Sequence, residues 1–146
     1  MKKNFKDIAK NVIELEIQAL KKLKGSINNS FNQAVNIIAK CQSKIIFCGV
    51  GKSSKISAKL SSTFSSIGSP SFTLSANDAS HGDLGSISKR DILILLSYSG
   101  ETIELKNIIQ YAKRNKIILI GIVSKKNSTL YKAADIKLYI PEVKEA

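Results

Sequence analysis

Apolar residues recur every three or four positions through the first 40 residues of the chain, and short apolar runs between polar segments follow. The first part predicts two amphipathic helices with a break near Gly25, because this spacing gathers apolar side chains on one helix face. The face of the first helix comprises Phe5, Ile8, Val12, Leu15, Ala19 and Leu23, and that of the second comprises Phe31, Val35, Ile38 and Ala39. The long first stripe must be buried, either on a neighbouring subunit or across the sheet of the same chain.

The rest of the chain alternates short apolar runs with helical patterns. The predicted strands cover residues 44–48, 71–74, 91–96, 117–123 and 136–140, and the predicted helices about 53–67, 101–114 and 128–134, with a turn at 68–70 and a polar loop at 75–88. This alternation predicts an α/β fold with a parallel sheet and right-handed crossovers. The 146 residues suit one core. We expect residues 1–43 to form a helical segment packed on a domain of residues 44–146.

Composition narrows the class of protein. The net charge is +12, but Arg90 and Arg114 are the only arginines, and no nucleic-acid-binding motif is present, so no nucleic-acid partner is expected. No apolar run approaches the roughly 20 residues of a membrane span, and no signal region is apparent, which predicts a cytoplasmic protein without a membrane partner. Cys41 and Cys48 lack the spacing of metal ligands and are expected to be buried free thiols.

Two loops stand out in this pattern, each directly after an apolar run and directly before a helical one. They are GVGKSS at residues 49–54 and SYSGET at residues 97–102. In a parallel sheet both would lie at the carboxyl ends of their strands, where helix N–H groups and hydroxyl donors converge on an anion. The expected ligand is therefore a small phosphorylated molecule.

The first loop fits neither common nucleotide-binding pattern. A Walker A loop would need glycine where Ile46 stands, and a dinucleotide fingerprint would need glycine or alanine where Ser54 stands. What remains is a Gly-x-Gly turn followed by Lys52 as a cation and by serine hydroxyls. The alternative is an ordinary strand-to-helix turn with a solvated lysine, and this loop alone does not decide between the two.

The second loop favours a phosphate site, because it places three hydroxyls around Gly100 at the expected start of a helix. The hydroxyls are those of Ser97, Ser99 and Thr102. Glu101 and Glu104 fall in the first predicted turn of that helix, where glutamate commonly offsets the helix dipole or forms a capping box. One of them could still act as a base if substrate lies over the turn.

The single histidine, His81, lies in the polar loop between these two segments. A lone histidine is often structural, but a Gly-punctuated polar loop favours ligand contact or proton transfer over packing. Asp83 either orients this histidine or caps the next turn.

Several segments together resemble the sugar isomerase (SIS) domain of the arabinose 5-phosphate isomerases, the KpsF/KdsD group. They are GVGKSS, TFSSIGSPSF, HGDLG, SYSGETIE and VKEA, and the resemblance covers roughly residues 40–146. It implies a flavodoxin-like three-layer sandwich with a five-stranded parallel sheet, preceded by N-terminal helices. It also implies interconversion of D-ribulose 5-phosphate and D-arabinose 5-phosphate through a cis-enediol, for Kdo and lipopolysaccharide synthesis. The implied assembly is a homo-oligomer, a tetramer, with active sites shared between subunits.

The resemblance implies a role for individual residues as well. Lys52 would polarise the sugar oxygen, and Glu104 and Glu145 would be the catalytic carboxylates, either of which could remove the carbon-bound proton. The residues expected to contact substrate are Gly51, Ser53, Gly68, Ser69, His81, Ser97, Ser99, Gly100 and Thr102, with the Ser97, Ser99 and Thr102 hydroxyls on the phosphate. Relatives often carry a histidine that takes inhibitory zinc where Ser75 stands, so neither a metal nor a cofactor is expected here.

In the family, a Ser/Thr-rich turn and a final helix follow the position of Ala146, with a further catalytic histidine and in many members paired CBS modules. The expectation is therefore a SIS domain that is incomplete at its C-terminus. Two functions follow from different classes: an aldose-ketose isomerase, or a non-catalytic domain that binds phosphosugars. Turnover of a sugar phosphate would distinguish them.

Overall fold

The computed structural model describes residues 4–79 and 82–143, which form six α-helices and five strands. The helices are α1 (Phe5–Ser26), α2 (Asn29–Ala39), α3 (Lys52–Ser66), α4 (Ala76–Ala79), α5 (Leu105–Asn115) and α6 (Thr129–Ala133). The strands are β1 (Ile45–Gly49), β2 (Ser71–Ser75), β3 (Ile92–Ser97), β4 (Ile118–Val123) and β5 (Ile136–Tyr139). The predicted strands are all present, and each of their bounds shifts by at most one residue.

All strand pairs are parallel, and the sheet has the order β2-β1-β3-β4-β5. This is the flavodoxin-like order, in which the chain moves first to one side of β1 and then to the other. The predicted α/β class and five-stranded parallel sheet are therefore confirmed. The central strands β1 and β3 are buried along their whole length, as expected of a sheet covered on both faces.

Alternate side chains of each strand enter two different cores. Ile45 and Phe47 pack with Ile94 against the face covered by α2 and α3, where the rings of Phe47 and Phe64 lie 5.3 Å apart. Ile46 and its alternating neighbours pack against the face covered by α5 and α6. The three layers follow from the two-residue period of the strands.

The N-terminal helices lie differently from the sequence prediction. Helix α1 buries none of its residues, and Phe5 and Leu20 are 78% and 64% exposed. The amino-terminal part of the α1 stripe is therefore not covered by the sheet of the same chain, whereas Leu23 near its end is half-buried and lines a cavity with Ile122 and Leu138. Packing of α1 on a neighbouring subunit stays a prediction. In α2 the buried residue is Ala34, while Phe31 and Val35, predicted on the apolar face, stay 46% exposed.

Two other regions differ from the predictions. The polar loop at 75–88 contains the short helix α4 and a 3-10 turn, Asp83–Ser86. Helix α5 begins at Leu105, later than the predicted start at about 101. Among the described residues, no helix is both long and apolar enough to cross a membrane.

A buried carboxylate ties the amino end of β3 to the segment before β1. Asp91 is 1% exposed and accepts hydrogen bonds from the Ser43 hydroxyl, the Lys44 N–H at 3.2 Å and the Ser88 N–H at 2.6 Å. Lys44 Nζ lies 3.7 Å from the same carboxylate. Burial raises the pKa of Asp91, but the hydrogen bonds outweigh it and the net pKa is lowered.

Replacement of Asp91 by asparagine is expected to lower the free energy of unfolding by about 2–3 kcal/mol at pH 7, since it removes charge-assisted hydrogen bonds from a buried site. A lowered pKa means that the stabilisation is present above the unfolded value of about 3.9 and is lost as the pH falls through the folded pKa. Urea denaturation at pH 7 and at pH 3 measures both effects. The gap between the two proteins should narrow at pH 3, whereas exposed Asp7→Asn should show little effect at either pH. A gap that is independent of pH would contradict the assignment.

Candidate functional site

The strand register brings the two glycine-containing loops side by side. Gly49 at the end of β1 pairs with Leu96 of β3, so the residues that follow each strand leave the same edge of the sheet. From there α3 covers one face and α5 covers the other. The two loops therefore diverge at the switch point of the sheet, where open α/β sheets bind their ligands.

The first loop requires glycine at two positions for different reasons. A Cβ at Gly49 would lie 2.8 Å from the backbone carbon of Ser53, so the strand and the first turn of α3 could not approach as they do. Gly51 has φ +60° and serves as the N-cap residue of α3. Lys52 is the first residue of the helix, and its side chain is exposed. The predicted Gly-x-Gly turn is therefore present, and the lysine follows it as the first residue of α3.

The hydroxyls of the second loop are organised by short contacts within the loop. The Ser97 and Thr102 hydroxyls lie 2.8 Å apart, and the Ser97 oxygen accepts the Gly100 N–H at 3.0 Å. The Ser99 oxygen accepts the Glu101 N–H at 3.2 Å. Gly100, with φ +67°, allows the chain to turn between these residues. The arrangement places three hydroxyls on one compact turn that directly follows β3.

The two glutamates of this segment have different surroundings. Both carboxylate oxygens of Glu101 are engaged with Thr129, whose N–H and hydroxyl each donate at 2.7 Å. These bonds lower the pKa of Glu101, which is an exposed residue. Glu104 is the N-cap residue of α5, yet its side chain forms no capping hydrogen bond, and it is exposed. The capping-box interpretation of Glu104 is therefore wrong, and its exposed carboxylate directly precedes the first turn of α5.

A cleft of about 330 Å³ adjoins the first loop on its β2 side. Its lining includes Gly51, Ser54 and Lys55 from the loop and α3. Thr73, Ser75 and Asn77 line its other wall at the end of β2. Sequence reasoning named no ligand role for Lys55, Thr73 or Asn77. The sequence contains part of the information needed to find them. Because β2 ends beside β1, the polar residues at the end of β2 lie at the same edge of the sheet as the first loop.

Not all of the predicted site residues meet. Gly68 and Ser69 lie just before β2, at the opposite edge of the sheet, where the Pro70 carbonyl accepts the Ile45 N–H at 2.9 Å. The five residues of β2 then separate them from the loops by roughly 17 Å. The prediction that they line the sugar pocket finds no counterpart within one chain. His81 and Glu145 lie outside the described residues.

Cys48 directly precedes Gly49 in β1, and Cys41 lies between α2 and β1. Both are free thiols, Cys41 half-buried and Cys48 buried in β1. Burial raises the pKa of Cys48 to about 12, so this thiol stays protonated at neutral pH and packs as a small apolar residue. Over residues 4–79 and 82–143, no cluster of three or more His, Cys, Asp or Glu side chains is suited to a metal ion.

Comparison with known proteins gives consistent results. The model of the SIS domain family matches residues 37–146. An uncharacterised protein of Rickettsia prowazekii, RP505, is 44% identical over 98% of this chain, which covers 45% of that protein. Arabinose 5-phosphate isomerase KdsD of Yersinia pestis is 41% identical over 98% of this chain, which covers 44% of that enzyme. The chain thus spans less than half the length of these two relatives.

Solved structures show the same fold. The structure of E. coli CFT073 c3406 in complex with arabinose 5-phosphate is 35% identical and has a TM-score of 0.82. The match covers 97% of this chain and 77% of that structure. The sheet order, the two loops and these matches agree over most of the chain, which therefore belongs to the SIS domain family.

Proposed function

We propose that the chain binds a pentose 5-phosphate at the switch point and interconverts D-ribulose 5-phosphate and D-arabinose 5-phosphate. The observation that carries this proposal is the convergence of the Lys52 loop and the Ser97–Thr102 hydroxyl pair at adjacent strand ends. The KdsD relatives and the arabinose 5-phosphate complex of the E. coli protein support the choice of sugar phosphate.

The phosphate would be held by the second loop. Ser97, Ser99 and Thr102 supply hydroxyl donors. The Ser97 and Ser99 oxygens accept the Gly100 and Glu101 N–H groups, and a phosphate oxygen could accept hydroxyl protons from this turn in place of the Ser97–Thr102 contact. Lys52, on the adjacent loop, supplies the nearby positive charge. The sugar carbons would then extend past the lysine, toward the cleft that Ser54 and Thr73 line.

The reaction moves one hydrogen between adjacent carbons without net oxidation. A base removes a proton from C1 of the ketose, and the C1–H electron pair forms the C1=C2 bond as O2 takes up negative charge and then a proton. In the second half the O1 proton leaves, the C1 carbonyl forms, and C2 receives a proton. Glu104 is the described carboxylate that is free to act as the base, and Lys52 would stabilise the charge on O2.

The wider setting belongs to the same proposal. A role in Kdo and lipopolysaccharide synthesis, and a cytoplasmic location, follow from this substrate. We also propose a homo-oligomer, because the exposed apolar side chains of α1 need a covering surface. Residues that the single chain does not bring to the site, such as Gly68 and Ser69, would then be supplied across a subunit boundary.

The direct test incubates the purified chain with D-ribulose 5-phosphate and follows D-arabinose 5-phosphate by NMR. Lys52→Ala is expected to lower the conversion rate by about 10²-fold, since it removes electrostatic stabilisation of the enediolate. Lys59→Ala, at an exposed position two turns further along α3, is the matched control and should convert at the original rate. Substrate-induced shifts without conversion would favour a non-catalytic phosphosugar-binding domain. If the protein shows no substrate-induced shifts and no conversion, the proposed ligand is refuted.

A further inference from the structure

A carboxylate inside the second loop reaches across to the loop that follows β4. Glu101 Oε1 accepts the Thr129 N–H and Oε2 accepts the Thr129 hydroxyl, each at 2.7 Å. Thr129 is the first residue of α6 and lies 28 positions further along the chain. The two bonds are short and charge-assisted, which makes them stronger than ordinary hydrogen bonds.

The backbone joins the same two loops at two more points. The Tyr98 carbonyl accepts the Ser124 N–H at 3.0 Å, and the Gly100 carbonyl accepts the Leu130 N–H at 3.0 Å. Residues 98, 100 and 101 are thus all attached to the segment that runs from the end of β4 into the first turn of α6. These hydrogen bonds fix residues 98, 100 and 101 of the loop. The Ser97, Ser99 and Thr102 hydroxyls lie on the residues next to them in the chain.

Because Glu101 is negatively charged, the direction of its side chain affects whether the loop can bind a phosphate. A carboxylate within a phosphate-binding loop would repel the phosphate if it turned toward the ligand. Since Thr129 donates to both oxygens, the negative charge is held at the first residue of α6. The Glu101 N–H meanwhile donates to Ser99, so the position of the Glu101 backbone also sets where that hydroxyl lies.

We propose that Glu101 is a positioning residue, whose two hydrogen bonds to Thr129 hold the Ser97, Ser99 and Thr102 hydroxyls in the arrangement that binds phosphate. This inference deepens the proposed function and rests on it. The two glutamates then have different roles. Glu104 contacts the substrate, whereas Glu101 affects binding only by fixing the conformation of the loop. A glutamate that merely caps α6 would stabilise the fold without affecting ligand affinity.

The test titrates the full chain with D-arabinose 5-phosphate by isothermal calorimetry and compares four proteins. Glu101→Ala is expected to raise the Kd about tenfold, because the loop loses two of its attachments. Glu101→Gln should stay within about threefold of the original Kd, because its amide can accept from the Thr129 N–H and donate to the Thr129 oxygen. Glu16→Ala, at an exposed position on α1, controls for the loss of a surface carboxylate.

Thermal unfolding of the same proteins separates positioning from simple stability. A Kd unchanged in Glu101→Ala would overturn the proposal. So would equal losses of affinity in the alanine and glutamine variants, since geometry alone could not then explain the effect.

Amide hydrogen exchange without ligand tests whether the Glu101–Thr129 hydrogen bonds hold the loop, even if the original chain does not bind the sugar phosphate. A failure to bind would count against the proposed function alone. In Glu101→Ala the Gly100, Thr129 and Leu130 amides should exchange at least about tenfold faster, while that of Leu95 in β3 stays protected. Unchanged exchange at these amides would overturn the inference.

Discussion

Glu104→Gln is expected to reduce the conversion of D-ribulose 5-phosphate by about 10³–10⁴-fold, the upper range for loss of a general base. The variant keeps the size and shape of the side chain but removes its capacity to take a proton. Because the Glu104 side chain forms no capping bond and is exposed, the fold should tolerate the exchange. NMR detection of D-arabinose 5-phosphate measures the rate, and calorimetry measures the Kd, which should change by less than about threefold.

The pattern of losses identifies the role. A base acts on the reacting carbon, so kcat should fall while the Kd remains. Glu16→Gln, on α1, provides an isosteric change at a distant exposed glutamate and should leave both quantities as they were. If Glu104→Gln converts substrate at the original rate, Glu104 is not the base, and Glu145 becomes the remaining predicted carboxylate.

The difference between Glu101 and Glu104 shows where sequence reasoning reaches its limit. Both were predicted in the first turn of one helix, where either could offset the dipole. In the structure the helix begins only at Leu105, and the partner of Glu101 is a threonine 28 residues away. Local pattern contains no signal for a contact of that separation, so the distinct environments of the two carboxylates could not be predicted.

The parallel sheet, by contrast, can be predicted from the amino-acid sequence. Runs such as residues 92–96 are apolar without alternation, and parallel strands that are buried on both faces produce this pattern. Once the strands are parallel, their carboxyl ends must share one edge, which is why the two loops could be placed together in advance. Gly68 and Ser69 were assigned to the pocket by resemblance, although the same rule puts residues that precede β2 at the other edge.

The exposed faces of the N-terminal helices mark another limit. Phe31 and Val35 fit a helical stripe with Ile38, but only Ile38 of these three packs against the sheet, where it is joined by Ala34 and Ile37. Periodicity identifies an apolar face, whereas the choice between two overlapping faces depends on which one fits the groove of the sheet. Small Ala34 permits a close approach that a larger residue would prevent.

Gly100→Ala is expected to destabilise the fold by about 2–5 kcal/mol, which combines about 1–3 for overpacking with about 1–2 for a left-handed non-glycine residue. Gly100 has φ +67°, and a Cβ there would overlap the Ser128 hydroxyl and lie 2.5 Å from the Ser128 Cβ. Ser128 cannot easily yield, since it is the N-cap residue of α6 and its oxygen accepts the Tyr131 N–H. Urea denaturation measures the loss.

A second substitution separates the two causes. In Gly100→Ala combined with Ser128→Gly the colliding side chain is gone, so the overpacking component should be recovered, while the cost of the positive φ and of the lost cap should remain. Gly25→Ala is the matched control, because a Cβ at that helical position would meet nothing within 4 Å and should leave stability equal or slightly higher. A Gly100→Ala protein as stable as the original would mean that the loop can move away from α6. The close packing of the second loop on the β4–α6 segment would then not be what holds the phosphate-binding hydroxyls in place.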